Sequence, residues 1–408
     1  MAERPRLIDR YDAFLLDLDG VVYLADQPIP GAVDAVATLL ASGRRVVFMT
    51  NNSAPTPEEV MDRLGGFGIP EGADLVTSGM VTARLLAAGD GHPRSAFVIG
   101  EGGVRVALAD AGVDVLEGEP GAADFVVVGW DRSVDFDKLR RATILVRRGA
   151  RLVATNADAS YPAPGGELWP GTGALLAAVE TATGARATVV GKPHRPLFDA
   201  AVERVGSRRP LVIGDRMDTD VAGAADAGLD AALVLSGAHG PADLLDHDAV
   251  PVAVAEDLAA LLDRPAFPPI RSATAEDMEE VSALAAGDRG LRPDDTVVAA
   301  DDRVEATATA VVRGPDALLR AVAVRQDRRG IGLGTLLVAA AVSDARRRGA
   351  RRCWLLTETA EGFFIRLGFE RADRASVPAW TASEGMADCR EGAVAMHREL
   401  GQPSQPGR

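Results

Sequence analysis

At 408 residues, with 47% hydrophobic and 25% charged residues, the chain has an ordinary globular composition and enough length for two or three domains, each with its own core. Its formal net charge of −15 argues against a nucleic-acid or anionic-membrane partner, either of which would demand a basic face. The charged N-terminus lacks the apolar core of a signal peptide, and no uninterrupted apolar run would cross a bilayer, so a cytoplasmic protein is expected.

Cys353 and Cys389 are too few for a disulfide framework, and the five histidines show no metal-ligand spacing. Nearly all positive charge is arginine; Lys138 and Lys192 are the only lysines. Arginine's planar fork and lysine's compact charge are not interchangeable in a crowded anion site, which singles out a lysine placed after a strand and before a proline.

In chain order, the apolar run Ala13-Phe14-Leu15-Leu16 predicts a buried strand ended by Asp17-Leu18-Asp19-Gly20. Open α/β sheets bind ligands at the carboxyl ends of their strands. Residues two apart on extended backbone face the same side, so Asp17 and Asp19 converge, while Gly20 lets the chain turn away. Two acids so close call for a cation between them, and Mg²⁺ is the natural oxygen-seeking candidate. An Asp-x-Asp pair also ends strands without catalytic work, and in glycosyltransferases it holds a metal and a nucleotide sugar, so the pair alone decides nothing.

From Asp12 to about Pro265, apolar runs alternate with helical stretches, the pattern of a mainly parallel sheet covered by helices. Strands are expected at 45–49, 96–99, 125–128, 152–154, 188–190 and 211–213. Thr50, Asn156, Lys192 and Asp215 stand at or just after such ends. Thr50-Asn51-Asn52-Ser53 offers a hydroxyl and backbone N–H groups for an anion, or a helix N-cap through Asn52 or Ser53; both readings can hold. Gly191-Lys192-Pro193 presents an ammonium from extended backbone. Gly214-Asp215-Arg216-Met217-Asp218-Thr219-Asp220 adds a third acidic strand end, with Asp220 as a supporting acid; Asp218 has the weaker claim, since an acid in a helix's first turn often only favours its dipole.

These four clusters, in this order, resemble the four motifs of the haloacid dehalogenase-like superfamily, and more narrowly its NagD-type class IIA phosphatases, over roughly residues 10 to 264. The ordered set displaces the glycosyltransferase alternative. The resemblance implies that Asp17 is the nucleophile, Asp19 the general acid and base, and that Mg²⁺ is held by Asp17, the main-chain carbonyl of Asp19, and Asp215. It further implies that Thr50, Asn51 and Lys192 hold the phosphate oxygens. Thr155-Asn156-Ala157-Asp158 and Pro170-Gly171-Thr172-Gly173 fit an inserted class IIA cap, with Asn156 and Asp158 as candidates for substrate choice.

Leu262-Asp263-Arg264-Pro265-Ala266-Phe267-Pro268-Pro269 breaks the pattern and predicts a short stiff linker. Beyond it a helix over 276–286, strands over 296–300, 306–312 and 319–324, and a helical run over 335–348 are expected. Arg329-Gly330-Ile331-Gly332-Leu333-Gly334 lies between a strand and a helix, where glycines let backbone N–H groups approach a pyrophosphate. With Phe363-Phe364-Ile365-Arg366-Leu367-Gly368-Phe369 downstream, residues 270 to 400 resemble a GNAT acetyltransferase domain. That resemblance implies acetyl-CoA binding by Val322, Val324, Arg329, Gly330, Gly332 and Gly334. Many members place a tyrosine acid where this chain has Phe364, which has no proton to give.

The expected fold class is α/β: a doubly wound Rossmann-like parallel-sheet core (1–78 and 187–264) with an inserted α/β cap (79–186). A linker (265–269), a smaller mixed α/β GNAT-like domain (270–400) and a tail (401–408) follow. The domain order resembles actinobacterial glycerol 3-phosphate phosphatases, so a small phosphorylated metabolite is the expected partner. Phosphoglycolate, sugar phosphates and nucleotides stand behind glycerol 3-phosphate. The alternatives are a bifunctional protein with N-acetyltransferase activity and a phosphatase regulated by acetyl-CoA. Oligomeric state is not legible.

Overall fold

The computed structural model describes residues 5–88, 94–162, 167–286, 288, 290–384 and 392–401; Cys389 and residues 402–408 of the expected tail lie outside them. The chain divides into two compact units, one of Tyr11–Asp215 and Gly223–Asp230, the other of Met1–Arg10, Arg216–Ala222 and Ala231–Arg408. The linker at 265–269 had suggested a later division. Among the described residues no helix is long and apolar enough to cross a membrane.

In the first unit, four strands lie side by side in the order Pro210–Gly214, Ala13–Leu16, Arg45–Thr50 and Asp74–Thr77, all parallel. Every residue of Ala13–Leu16 is buried, as its unbroken apolar run requires for a strand covered on both faces. Register sets Leu16 beside Ile213 on one side and Phe48 on the other. The segments that leave these strands therefore carry Asp17, Thr50 and Asp215 to one end of the sheet.

Strands between Thr77 and Gly191 form a second parallel sheet, in the order Thr188–Val189, Arg151–Ala154, Phe125–Val128, Arg94–Ile99 and Val113–Leu116. Phe97, Ile99, Val126, Val128, Leu145, Leu152, Leu176 and Val179 make its core. The Thr188–Val189 strand, placed on the core side of the boundary at 187 by the sequence, pairs with Val153 and Ala154 in this second sheet. A strand so short takes its partner from its neighbours, which periodicity cannot show.

In the second unit, Ala232–Val234 pairs in parallel with Ala253–Ala255. A seven-stranded sheet follows in the order Ile270–Ser272, Thr296–Ala300, Val304–Arg313, Asp316–Val324, Arg352–Thr357, Val394–Glu399 and Glu370–Arg371. All its pairings are antiparallel except one, which joins Asp316–Leu318 to Arg352–Trp354. The register of that pair stops at Leu318. Nearby, Ala321 takes the left-handed conformation (φ 52°) where the register with the preceding strand shifts, as at a β-bulge. The helices Met278–Leu284 and Leu333–Arg347 fall within a few residues of expectation.

The linker is fastened rather than merely stiff. Pro265 bridges Arg6, the Ala266 N–H donates to the Pro5 carbonyl, and the Arg10 guanidinium donates to the Phe267 carbonyl at 3.0 Å. Ala266 and Phe267 are buried.

Gly103 opens the helix Gly102–Asp110 against the loop after Thr50: its N–H donates to the Ala54 carbonyl at 2.8 Å, and a Cβ there would overlap the Pro55 carbonyl. Gly65, in the helix Pro57–Gly66, has nothing within 4 Å of the same position. Gly103→Ala is therefore expected to cost ~1–3 kcal/mol through overpacking. Gly65→Ala is expected to be neutral or to stabilise by up to about 1 kcal/mol. Paired chemical denaturation curves check the opposite signs.

Candidate active site

Asp17 is held at the end of its strand by its N–H, which donates to Ile213 O at 2.9 Å. Its Oδ1 accepts the Leu18 N–H at 2.8 Å and lies 2.8 Å from the Lys192 ammonium. Both side chains are buried, the lysine only 3% exposed, so the attraction is little screened. Asp17 and Lys192, far apart in sequence, thus meet in a direct ion pair.

The chain then folds back at once. Leu18 O accepts the N–H groups of Val21, Val22 and Tyr23, and Gly20 N–H donates to Tyr23 O at 2.8 Å. Gly20 has φ 81°, and a Cβ on it would overlap the Asp215 carboxylate. Glycine is needed here twice over, for the backbone conformation and for the room. Asp17, Asp215 and Asp220 are buried and each offers a carboxylate oxygen within 4.8 Å of the others. An all-oxygen set of this size suits a hard divalent cation such as Mg²⁺. Asp220 Oδ2 also accepts the Arg216 N–H at 3.1 Å. Asp218 turns instead to Arg216, at 2.7 Å.

Asp19 is half-buried. Burial pushes its carboxyl up to about 6, against the pull of the Arg63 and Lys192 charges and with the push of Asp158. Arg63 lies over the Tyr23 ring at 4.4 Å from its centroid and donates to the Ala25 carbonyl. Burial also raises the phenols of Tyr23 and Tyr161, with the Asp19 charge as the next cause in each. Arg63, Tyr23 and Tyr161 are thus close enough to Asp19 to be coupled to its charge. Arg63 escaped the sequence reading because a basic residue in a helix's last turn looks like an ordinary dipole partner.

Thr50 is buried, and its Oγ1 accepts the Asn52 N–H at 3.0 Å. The Asn52 side chain accepts the Ala54 N–H, but the N-cap of the following helix is Thr56, with Glu59 completing a capping box. The N-cap expected at Asn52 or Ser53 is therefore four or three residues late, and the N–H groups near Asn51 belong to a loop.

Asn51 is the hub of that loop. Its Oδ1 accepts the Lys192 N–H at 2.7 Å, and its Nδ2 donates to Lys192 O and to Asp158 Oδ2, each at 3.0 Å. Its carbonyl accepts from Ser78 Oγ and from Asn156 Nδ2, each at 2.7 Å. Asn156 is accordingly buried at the junction of the two sheets, while Asp158 is brought toward Asp19. Gly191 leaves room for Asn51 Oδ1, which a Cβ would strike.

In the second unit, a cavity of about 780 Å³ is lined by all six of Val322, Val324, Arg329, Gly330, Gly332 and Gly334. Leu355, Leu356 and Thr357 of the neighbouring strand line it too, beyond the point where strand pairing stops. Phe364 also lines it, packed edge-on to Phe363 and Phe369. Cys353 is buried, which pushes its thiol up to about 12 and leaves it unreactive.

Comparison with known proteins agrees with this geometry. The family model described as haloacid dehalogenase-like hydrolase matches residues 14–114, a second model of that superfamily matches 189–261, and an acetyltransferase (GNAT) domain model matches 293–371. The 5'-nucleotidase YutF of Bacillus subtilis is 37% identical over 230 residues, 56% of this chain and 88% of that protein. The chain belongs to the haloacid dehalogenase-like hydrolases. The dihydroxyacetone phosphatase of Corynebacterium glutamicum is 35% identical over 62% of this chain and 90% of its own length. The glycerol phosphate phosphatase Rv1692 of Mycobacterium tuberculosis, solved with magnesium, has 28% identity and a TM-score of 0.69 over 89% of this chain and 99% of that one. This hydrolase thus carries a GNAT domain behind its NagD-like front.

Burial makes the folded chain hold the Asp19 proton more tightly than the unfolded chain does. A carboxyl at about 6 in the folded chain, against an ordinary 3.8, favours folding less as pH rises between those values. Without divalent cation, Asp19→Asn is expected to melt at a higher temperature than the wild type at pH 7, the gap closing as pH falls toward 4. Thermal melts across that range measure it.

Proposed function

We propose that this hydrolase cleaves a small phosphate monoester through a phosphorylated Asp17. The observation that carries the reading is the buried Lys192 ammonium 2.8 Å from Asp17 Oδ1, beside the carboxylates of Asp215 and Asp220.

In this mechanism Asp17 attacks phosphorus, the bond from phosphorus to the ester oxygen breaks, and Asp19 gives its proton to the departing alcohol. Water then attacks the phosphorus of the acyl phosphate and passes a proton to Asp19, while the bond to Asp17 breaks and inorganic phosphate leaves. A pKa of about 6 suits both roles, since the group changes state close to working pH. Lys192, the Thr50 hydroxyl and loop N–H groups at Asn51 hold the non-bridging oxygens. Mg²⁺, held by Asp17, the Asp19 carbonyl and Asp215 with Asp220 behind, would neutralise charge on the phosphoryl group.

Substrate choice falls to the groups around Asp19: Asp158, Tyr161, Tyr23 and Arg63. A carboxylate and phenols favour a short, hydroxyl-bearing alcohol, and glycerol 3-phosphate is the first candidate, as the resemblance to the glycerol phosphate phosphatase also suggests. Nucleotides and sugar phosphates, named for other relatives, come after. Acetyl transfer is disfavoured by Phe364, which cannot donate a proton.

A panel of phosphate esters with Mg²⁺ tests this. Glycerol 3-phosphate should be among the best substrates, chelation by EDTA should abolish release, and Asp17→Asn should reduce it to background. Asp19→Asn should lose about 10²–10⁴-fold in kcat with glycerol 3-phosphate. Phosphate release by Asp17→Asn at the wild-type rate would contradict the mechanism.

A further inference from the structure

The second unit joins its cleft to the stretch that carries Asp220 by one continuous series of contacts. The helix Leu333–Arg347 begins at Gly332, whose φ of 89° turns the loop in, and where a Cβ would stand 3.1 Å from Val254 O. The same helix packs on the strand Ala253–Ala255 and on the turn Asp243–Asp246. Near its far end, Arg346 has a fully buried side chain. Its guanidinium donates to Leu245 O and to Asp248 Oδ1, each at 2.7 Å, and Ser343 donates to Asp248 O at 3.2 Å. Arg398 adds bonds to Asp246 at 2.8 Å and to Ala242 O at 3.2 Å.

The stretch held in this way also faces both the cleft and the metal loop. Leu235, Pro241, Val254, Ala255 and Glu256 line the 780 Å³ cavity, together with Arg264, whose buried Nε has no hydrogen-bond partner among the described residues. Between Leu235 and Pro241 stands His239, whose Nδ1 accepts the Met217 N–H at 2.8 Å. Met217 lies two residues after Asp215 and three before Asp220.

We propose that the GNAT-like domain works as a sensor: a pyrophosphate-bearing thioester of the coenzyme A class, seated in the cleft, changes the metal affinity of the Asp215–Asp220 loop through residues 235–248 and His239. The proposal rests on the phosphatase reading for its purpose but not for its test. A ligand whose pyrophosphate sits at the N-terminus of Leu333–Arg347 lies beside Val254, in the cavity that Leu235 and Pro241, on either side of His239, also line. It shifts that segment only insofar as it binds its two arrangements unequally. By linkage, Mg²⁺ must then change the affinity for the thioester by the same factor.

Calorimetry on the full chain, with acetyl-CoA and Mg²⁺ as probes, reads this without any turnover. Acetyl-CoA at saturation is expected to change the Mg²⁺ dissociation constant at least threefold, Mg²⁺ to change that of acetyl-CoA equally, and His239→Ala to make the two independent while each still binds. Independent binding in the wild type, or equal linkage in wild type and His239→Ala, overturns the coupling. Absence of acetyl-CoA binding at millimolar concentration overturns the cleft as its seat. Failure of phosphate release with linkage intact would instead strike only the phosphatase reading.

Discussion

A carboxylate and an ammonium at 2.8 Å, both removed from water, form the contact on which the first unit turns. Two ions taken into a protein interior are costly unless their remaining polar atoms are satisfied, and here the surroundings do this with care. The Leu18 N–H supports Asp17, and Asn51 grips both the N–H and the carbonyl of Lys192. Further acids beside Asp17 would repel it, so Asp215 and Asp220 make sense as a receptacle for a divalent cation rather than as a stabilising cluster. Gly20 is the steric condition for that arrangement, since any side chain would displace Asp215.

The same reasoning gives the second unit a different character. Its sheet parts after Leu318 and Trp354, which opens a cleft where the glycine-bearing loop at 329–334 and a helix N-terminus meet. Yet the position facing that cleft carries an aromatic ring with no hydroxyl. Retained cleft and missing acid fit a domain that binds without transferring. Arg346 fastens the domain to Leu245 and Asp248 through buried and half-buried polar contacts, and Arg398 adds a half-buried bond to Ala242 and an exposed one to Asp246.

Much of the site was legible because Asp17, Thr50 and Asp215 each end or follow a short apolar run that forms a largely buried strand. Asp17, Thr50 and Asp215 needed no tertiary knowledge to be placed at strand ends, and Lys192 stood out in a chain with only one other lysine. What stayed hidden depends on contacts between distant segments. Arg63 reaches the acid from a surface-looking helix, and Thr188–Val189 joins the second sheet through residues more than thirty positions earlier. The linker's anchorage to Pro5, Arg6 and Arg10 is likewise a long-range fact, as is the placement of Asn156 between the two sheets. The N-cap at Thr56 was missed for a local reason: Asn52 and Ser53 are equally good capping residues, and only the capping box with Glu59 distinguishes the true start.

The most direct measurement is acid quenching of the protein during turnover of a phosphate ester with isotopically labelled phosphorus, followed by mapping of the label by peptide mass spectrometry. The account predicts covalent phosphate on Asp17, lost in Asp17→Asn. Sustained phosphate release with no label on any peptide, or with the label on another residue, would contradict it.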